Sequence, residues 1–402
     1  MRFWFRGCRR YAIMEIMDKQ ASVLPNVPLE KRERIASDLV AWYRGHKRDL
    51  PWRGGTPYAV WVSEIMLQQT QVATVIPFFR RFMERFPTVE ALAEAPIEDV
   101  LQHWAGLGYY ARARNLHRAA QTVAERFGGV VPATPEAIES LPGIGRYTAG
   151  AILSIAYNVP RPLVDANVIR VLSRLFGLQG DPKSAANQAA LWSLAEQLVP
   201  EEAPGDFNQG LMELGALVCE PSDPKCERCP LLAECVAGNS PDPSALPEHP
   251  PGRAAVAVTH SAALVRNGDG EFLIVQRPLH GLWGGLWEFP RVVCVGEETP
   301  QEGALRAGRE VVGLQIELGK RIGKIKHAVT HHKITLYGFA ASPVSLHAVP
   351  SPMGCAAVRW VSPDALESYA FSSPQALLRL ALKEFLAREI KGEVQAALAF
   401  EE

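Results

Sequence analysis

Nowhere in the 402 residues does an uninterrupted apolar run approach the ~20 residues of a bilayer-spanning helix, so no membrane partner is expected. An excess of charge of either sign is also missing: 42 Lys and Arg stand against 43 Asp and Glu. That balance neither requires nor excludes a nucleic-acid partner, because a basic face can be offset by acidic surface elsewhere. The opening stretch MRFWFRGCRRYAIM is basic and aromatic but has no extended apolar core, which makes it a poor secretory signal. Residues 1–28 therefore read as a disordered extension. Cysteine is scarce outside one segment, with four of the seven between Cys219 and Cys235 and Cys8, Cys294 and Cys355 scattered. Such clustering argues against a disulfide framework and for a metal or cluster site in a reducing compartment.

Alternation of apolar and polar residues is nearly absent before residue 240, and residues 29–237 read as an all-α unit. One helix is expected to start at Thr56 with Pro57 in its first turn, where proline costs nothing. Its apolar residues Trp61, Ile65, Val72, Val75 and Phe79 recur at helical spacing, leaving Glu64, Gln68 and Gln71 on another face. Residues 238–253 (GNSPDPSALPEHPPGR) lose all periodicity and read as a semi-extended linker. Beyond it, strand patterns at Ala254–Val265, Phe272–Gln276, Arg321–Ala328, Ile334–Ala341 and Val358–Val361 mix with helical ones at Glu302–Val312 and Gln375–Glu389. Residues 254–392 thus form a separate α+β domain with a tail at 393–402.

The stretch LPGIGRYTAGAILSIAYNVPRPLVDAN, Leu141 to Asn167, carries the clearest chemistry. Gly143 and Gly145 permit a tight hairpin whose N–H groups, at the start of a helix, suit a phosphate. Asp165 follows alone, and taken by itself it reads as an N-cap of the next helix. Glu64 by itself reads as a solvated helix residue beside Gln68. Together with the hairpin, the two carboxylates suit cleavage of an N-glycosidic bond, which needs an acid for the departing base and an anion for the oxocarbenium-like sugar. The spacing Cys219-x6-Cys226-x2-Cys229-x5-Cys235 suits either tetrahedral zinc or an iron–sulfur cluster, and spacing alone does not choose.

The motifs SEIMLQQTQV, GLGYYARARNLH, LPGIGRYTAGAILS and VDANVIRV, with the four-cysteine loop, resemble the endonuclease III superfamily of DNA glycosylases and, within it, the MutY-type adenine glycosylases. The resemblance implies two domains: an all-α helix-hairpin-helix glycosylase carrying a [4Fe–4S] cluster on the four cysteines, and an α+β Nudix-like domain. It makes Glu64 the general acid toward N7 of a flipped adenine that then helps activate water, Asp165 the group that stabilises the sugar cation or attacks it transiently, and Asn167 its hydrogen-bonding helper. Gln69 and Tyr109 match the residues that wedge into the DNA near the lesion, with Leu107 beside them. Gly143, Gly145 and Arg112 are expected at the backbone, with Arg114, His117, Arg118 and Arg146 adding a basic face. Thr330 and His331 match a lesion-sensing loop, where Val329 replaces an aromatic residue.

Tyr147 stands where bifunctional members carry a Schiff-base lysine; a phenol cannot form an imine, so base removal without strand scission is implied. In the Nudix-like domain the run Gly303 to Leu314 keeps Glu310 and few other acids, so its hydrolase chemistry is read as lost. The implied substrate is duplex DNA with adenine opposite 8-oxoguanine or guanine, handled by a monomer. The implied location is the bacterial cytoplasm at the nucleoid, or the nucleus or mitochondrion of a eukaryote. The rivals are a glycosylase/lyase for oxidised pyrimidines, a non-catalytic DNA-binding protein and a nucleotide pyrophosphohydrolase.

Overall fold

The computed structural model describes residues 25–248, 250, 254–329, 331–345 and 347–399, with side chains up to residue 389. Cys8, Thr330 and most of the expected N-terminal extension lie outside the described residues. The helices are α1 (Leu29–His46), α2 (Pro57–Leu67), α3 (Val72–Arg85), α4 (Val89–Glu94), α5 (Ile97–Trp104), α6 (Ala111–Phe127), α7 (Pro135–Glu139), α8 (Arg146–Tyr157), α9 (Ala166–Phe176), α10 (Ala185–Leu198), α11 (Pro204–Leu217), α12 (Pro300–Val312) and α13 (Ser373–Ala399). The strands are β1 (Val256–Val265), β2 (Phe272–Gln276), β3 (Trp287–Glu288), β4 (Arg291–Val293), β5 (Ile316–Val329), β6 (His332–Pro343) and β7 (Ala357–Val361).

The chain divides into two compact units, one comprising residues up to Glu64 with Val131–Pro251, the other Ile65–Val130 with the chain from Gly252 onward. In the first unit α1, α8, α9, α10 and α11 surround a core that includes Ile35, Leu39, Val168, Leu172, Phe207 and Leu211. Each such side chain contributes roughly 1.5–3 kcal/mol by leaving water. α11 passes close to the start of α9: a Cβ on Gly215 would stand 2.6 Å from the Cβ of Asn167, so only glycine fits there. The proline-rich stretch after residue 237 is not extended throughout. It forms short 3-10 turns at Ala237–Asn239 and Pro243–Ala245, and Arg174 Nε donates to the Leu246 carbonyl at 2.8 Å. Val27, in the expected extension, is buried, and its N–H donates to Gln197 Oε1 at 3.0 Å.

The long helix expected from Thr56 to Phe79 is two helices. α2 ends at Leu67, Gln69 adopts a left-handed φ of 58°, and Gln71 is the N-cap residue of α3. Gln68 and Gln71 therefore leave the helical face of Glu64. The apolar spacing continued through the break because α2 is buried on every face from Tyr58 to Met66 while α3 buries Val75, Phe79 and Phe82, and periodicity alone does not separate the two.

The second unit contains a four-stranded sheet, β4-β1-β6-β5, and a three-stranded sheet, β3-β2-β7. β1 runs parallel to β6, while β5 pairs with β6 as an antiparallel hairpin. α12 opens with a capping box in which Thr299 and Glu302 satisfy each other's backbone N–H. The strands expected from alternation are present with longer β5 and β6; β3 and β4 are too short to leave a periodic signal.

Candidate active site

Glu64 sits on α2 in the first unit and is 4% exposed, so the solvated-residue reading fails. The Tyr147 hydroxyl, presented by α8, donates to Glu64 Oε2 at 2.7 Å and lies 3.6 Å from Met212 Sδ. Burial pushes the Glu64 carboxyl up to about 7, with the Tyr147 hydrogen bond pulling down and the Asp165 charge pushing up. At neutral pH a large share of this acid therefore holds its proton, as a general acid must.

Asp165 is indeed the N-cap of α9: Oδ1 accepts from the Val168 N–H at 2.7 Å. Its other oxygen accepts from Asn167 Nδ2 at 3.0 Å. Burial raises the Asp165 carboxyl above its usual value, against the hydrogen bonds from Val168 and Asn167 and the charge of Arg170. Arg170, which the sequence reading missed, donates to Asn167 Oδ1 (2.9 Å), the Gly215 carbonyl (2.8 Å) and the Cys219 carbonyl (2.7 Å). It ties the aspartate's helper to the start of the cysteine loop. Its signal was only a basic residue one turn into an amphipathic helix.

The hairpin before α8 turns at Gly143, whose φ is 79°, and closes with the Ile144 N–H donating to the Leu141 carbonyl at 3.2 Å. Gly145 is the N-cap residue of α8, and a Cβ there would meet open space. Its glycine therefore answers no packing demand and leaves the N-terminus of a 12-residue helix bare toward solvent. Arg146 stacks on Trp192, 3.9 Å from the ring centroid.

Cys219, Cys226, Cys229 and Cys235 line one small cavity with Arg174, Pro224 and Gly238. Arg174 Nη1 lies 3.3 Å from Cys219 Sγ, and the Gly238 N–H donates to Cys235 Sγ at 3.3 Å. Among the described residues no three His, Cys, Asp or Glu side chains are close enough to hold a single metal ion. Four thiols around one void are the donor set of either a tetrahedral zinc or a polynuclear iron–sulfur group. Burial, with repulsion among the thiolates, raises Cys226, Cys229 and Cys235, and Cys229 reaches about 12. A cationic centre is what would release those protons.

In the second unit Gln69 and Tyr109 are exposed and both left-handed, with φ of 58° and 50°. Such strain in non-glycine residues persists only where surroundings impose it. Here Arg112 imposes it. Its guanidinium donates to the carbonyls of Ile65 (2.8 Å), Met66 (2.8 Å) and Gln68 (2.6 Å) on one side and Gly108 (3.1 Å) on the other. Arg112 is thus a buried loop clamp and not the exposed phosphate contact expected. His117 is buried too, with Nε2 at 2.9 Å from the Ala95 carbonyl, so the basic stripe on α6 is not one solvent face. Leu107, expected beside Gln69 and Tyr109, is 5% exposed and lines one cleft with them.

A cleft of about 500 Å³ is lined by Gln69, Tyr109, the loop Gly281–Gly284 and His327 to Val329 at the end of β5. Arg114 Nη1 donates to the Gly284 carbonyl at 2.6 Å. The His331 and His332 rings lie 4.1 Å apart between centroids, tilted by 40°. On α12, Glu310 is paired with Arg306 at 2.9 Å, which also holds Glu298. The other carboxylate of this helix, Glu302, is engaged in its capping box, so both acids of α12 already have partners.

Residues 62–197 match the family described as HhH-GPD superfamily base excision DNA repair protein, and residues 261–379 match a NUDIX domain. A human protein named adenine DNA glycosylase is 39% identical over 396 residues, covering 83% of this chain and 71% of its own. The mouse protein of that name is 39% identical over 378 residues, covering 81% and 73%. A solved structure of a thermostable thymine-DNA glycosylase is 35% identical and covers 52% of this chain and 96% of its own, with a TM-score of 0.47.

Proposed function

The chain belongs to the adenine DNA glycosylase family, and we propose that it hydrolyses the N-glycosidic bond of adenine opposite 8-oxoguanine or guanine in duplex DNA. Adenine removal by base excision is the family's reaction. The observation that carries the reading is the buried Glu64, raised to about 7 and bonded by Tyr147, in one site with Asp165.

Protonated Glu64 gives its proton to N7 of the base as the bond from C1′ to N9 breaks, and the bonding pair leaves with adenine. The Asp165 carboxylate, fixed by Val168 and Asn167, stabilises the cation left on the sugar. Water then adds to C1′ and returns a proton to Glu64. The Tyr147 phenol cannot form an imine, so the strand stays intact. Gly143 and Gly145 grip a phosphate, while Gln69 and Tyr109 fill the gap left by the flipped base and His331 belongs to the loop sensing its partner.

A [4Fe–4S] cluster on Cys219, Cys226, Cys229 and Cys235 would pin the loop that Arg170 joins to Asn167. Domain limits of 29–237 and 254–392, monomeric action and a location wherever the chromosome is kept belong to the same proposal.

Single-turnover adenine release from 8-oxoguanine:adenine and guanine:adenine duplexes tests it, with wild type active and Glu64→Gln silent. Absence of release from both by the wild type overturns it. Borohydride should trap no covalent complex at wild-type efficiency.

A further inference from the structure

The face of the large sheet that α12 covers is covered over only half its length. At one end Ala263, Val265 and Ala341 pack with Leu305 and Val312 of the helix, and a Cβ on Gly303 would stand 3.1 Å from the Ser261 Cβ. Beyond Ser261 the helix has ended. The rungs that continue the same face toward the β5–β6 turn are Ala257 and Thr259 on β1, Lys333, Thr335 and Tyr337 on β6, and Lys324, Lys326 and Ala328 on β5. Register fixes this grouping, since Tyr337 pairs with both Ser261 and Lys324, Thr335 with Thr259 and Lys326, and Lys333 with Ala257 and Ala328.

Lys324, Lys326 and Lys333 are all exposed, and no Asp or Glu occupies a strand position of this uncovered half. The Lys324 ammonium stands 5.2 Å from the Tyr337 ring centroid, which holds its stem across the sheet. Lys326 and Lys333 are diagonal neighbours across the hairpin, on the order of 7–8 Å apart at the backbone. Three clustered like charges repel one another, so an isolated fold gains nothing from them. Polyanions with charges every ~3.4 Å along each strand are the partner that such a face complements. The two threonines and Tyr337 add hydroxyl donors of the kind that bind phosphate oxygens.

The opposite face of the hairpin is committed elsewhere. Ile325 and Leu336 join the core beneath α13, Ile334 is buried, and a Cβ on Gly338 would stand 2.4 Å from Leu378 Cδ1. At the tip, His327 to Val329 line the cleft that also holds Gln69 and Tyr109. The hairpin is a finger with its tip at the cleft and one bare basic face.

We propose that this bare half-face is a second DNA contact, in which Lys324, Lys326 and Lys333 neutralise backbone phosphates of the duplex whose base the cleft engages. The proposal rests on the functional reading above for the identity of the polyanion. It gives the Nudix-like fold a share in affinity that carries no sequence information.

The test uses the full chain, the triple variant Lys324→Gln/Lys326→Gln/Lys333→Gln and the corresponding triple Lys→Arg variant. Affinity for an 8-oxoguanine duplex bearing a non-hydrolysable adenosine analogue is measured across a salt series. Loss of three phosphate contacts should reduce the slope of log Kd against log salt by about 2.7, at ~0.9 per contact. The arginine triple should keep the wild-type slope, and single-turnover adenine release at saturating enzyme should be the same for all three. An unchanged slope in the glutamine triple overturns the proposal and would leave an acidic protein surface as the occupant. Loss of slope in the arginine triple, or slowed release at saturation, overturns it as well. If the wild type released no adenine, the functional reading would fall while the slope comparison still decided the phosphate contact.

Discussion

Two glutamates in the first unit are buried to nearly the same degree and hold their protons in opposite ways. Glu64 is 4% exposed and Glu213 is 2% exposed. Glu213 accepts from Arg48 Nε (2.9 Å), Arg48 Nη2 (2.9 Å) and Arg53 Nη2 (2.7 Å), and these bonds hold its carboxyl below the usual range despite burial. Among the described residues Glu64 has a neutral phenol as its hydrogen-bond partner and an aspartate as its charged neighbour, and it rises to about 7. Burial by itself therefore does not make a catalytic acid. Withholding the arginines does.

The largest expected effect is on the unpaired carboxylate. Glu64→Gln keeps the shape and loses the transferable proton, so single-turnover adenine release should fall by roughly 10²–10⁴-fold or more. A variant within tenfold of wild type would break the comparison at its functional end.

Next comes the paired carboxylate. Glu213→Gln strands Arg48 and Arg53 and should cost about 2–4 kcal/mol in urea unfolding, a little below the range for fully buried pairs because Arg48 reaches solvent. Its folded-state pKa is depressed, so its stabilisation is present above the unfolded value of 4.5 and lost as pH falls through the folded value. Unfolding free energies that ignore this substitution would remove Glu213 as the contrasting case.

Glu64 has the opposite sign. Its stabilisation is complete below the unfolded value of 4.5 and lost as pH rises through about 7. Glutamine stays neutral at every pH, so Glu64→Gln should stabilise the protein at pH 8 by as much as about 3 kcal/mol, the linkage equivalent of that shift. Lower stability of the variant at pH 8 would contradict the burial argument.

The smallest effect sharpens the role of the phenol. The wild-type rate of base release should decline as pH rises through about 7, where Glu64 loses its proton. Removing the hydroxyl that lowers this pKa, in Tyr147→Phe, should move that decline to higher pH. A decline that stays in place would mean the phenol does not tune the acid.

Much of this was legible in the chain. The change from helical spacing to alternation near residue 250 marked where strands begin, because a strand exposes alternate residues and a helix does not. Gly143 and Gly145, Asp165 as a cap and four cysteines within one loop were readable because turns, caps and thiol clusters are local features. What was not legible was whether a charged residue faces solvent. Arg112, read as one of several DNA-facing arginines, is folded inward onto the carbonyls of two separate loops. The break at Gln69 was hidden as well, because glutamine carries no turn signal and its left-handed backbone is imposed by Arg112, 43 positions away.

By itself, then, the sequence determined the element types, the cap at Asp165, the phenol in place of an amine at Tyr147 and the supply of four thiols, since each depends on side-chain chemistry or on neighbours within a few residues. Only the tertiary structure decided that Glu64 and Tyr147, 83 positions apart, are joined by a hydrogen bond. It also decided that, among the described residues, Glu213 has two arginines while Glu64 has none, and that α12 stops halfway along its sheet. Those outcomes turn on desolvation and on distances between segments remote in the chain, and neither quantity is written in any short stretch of residues.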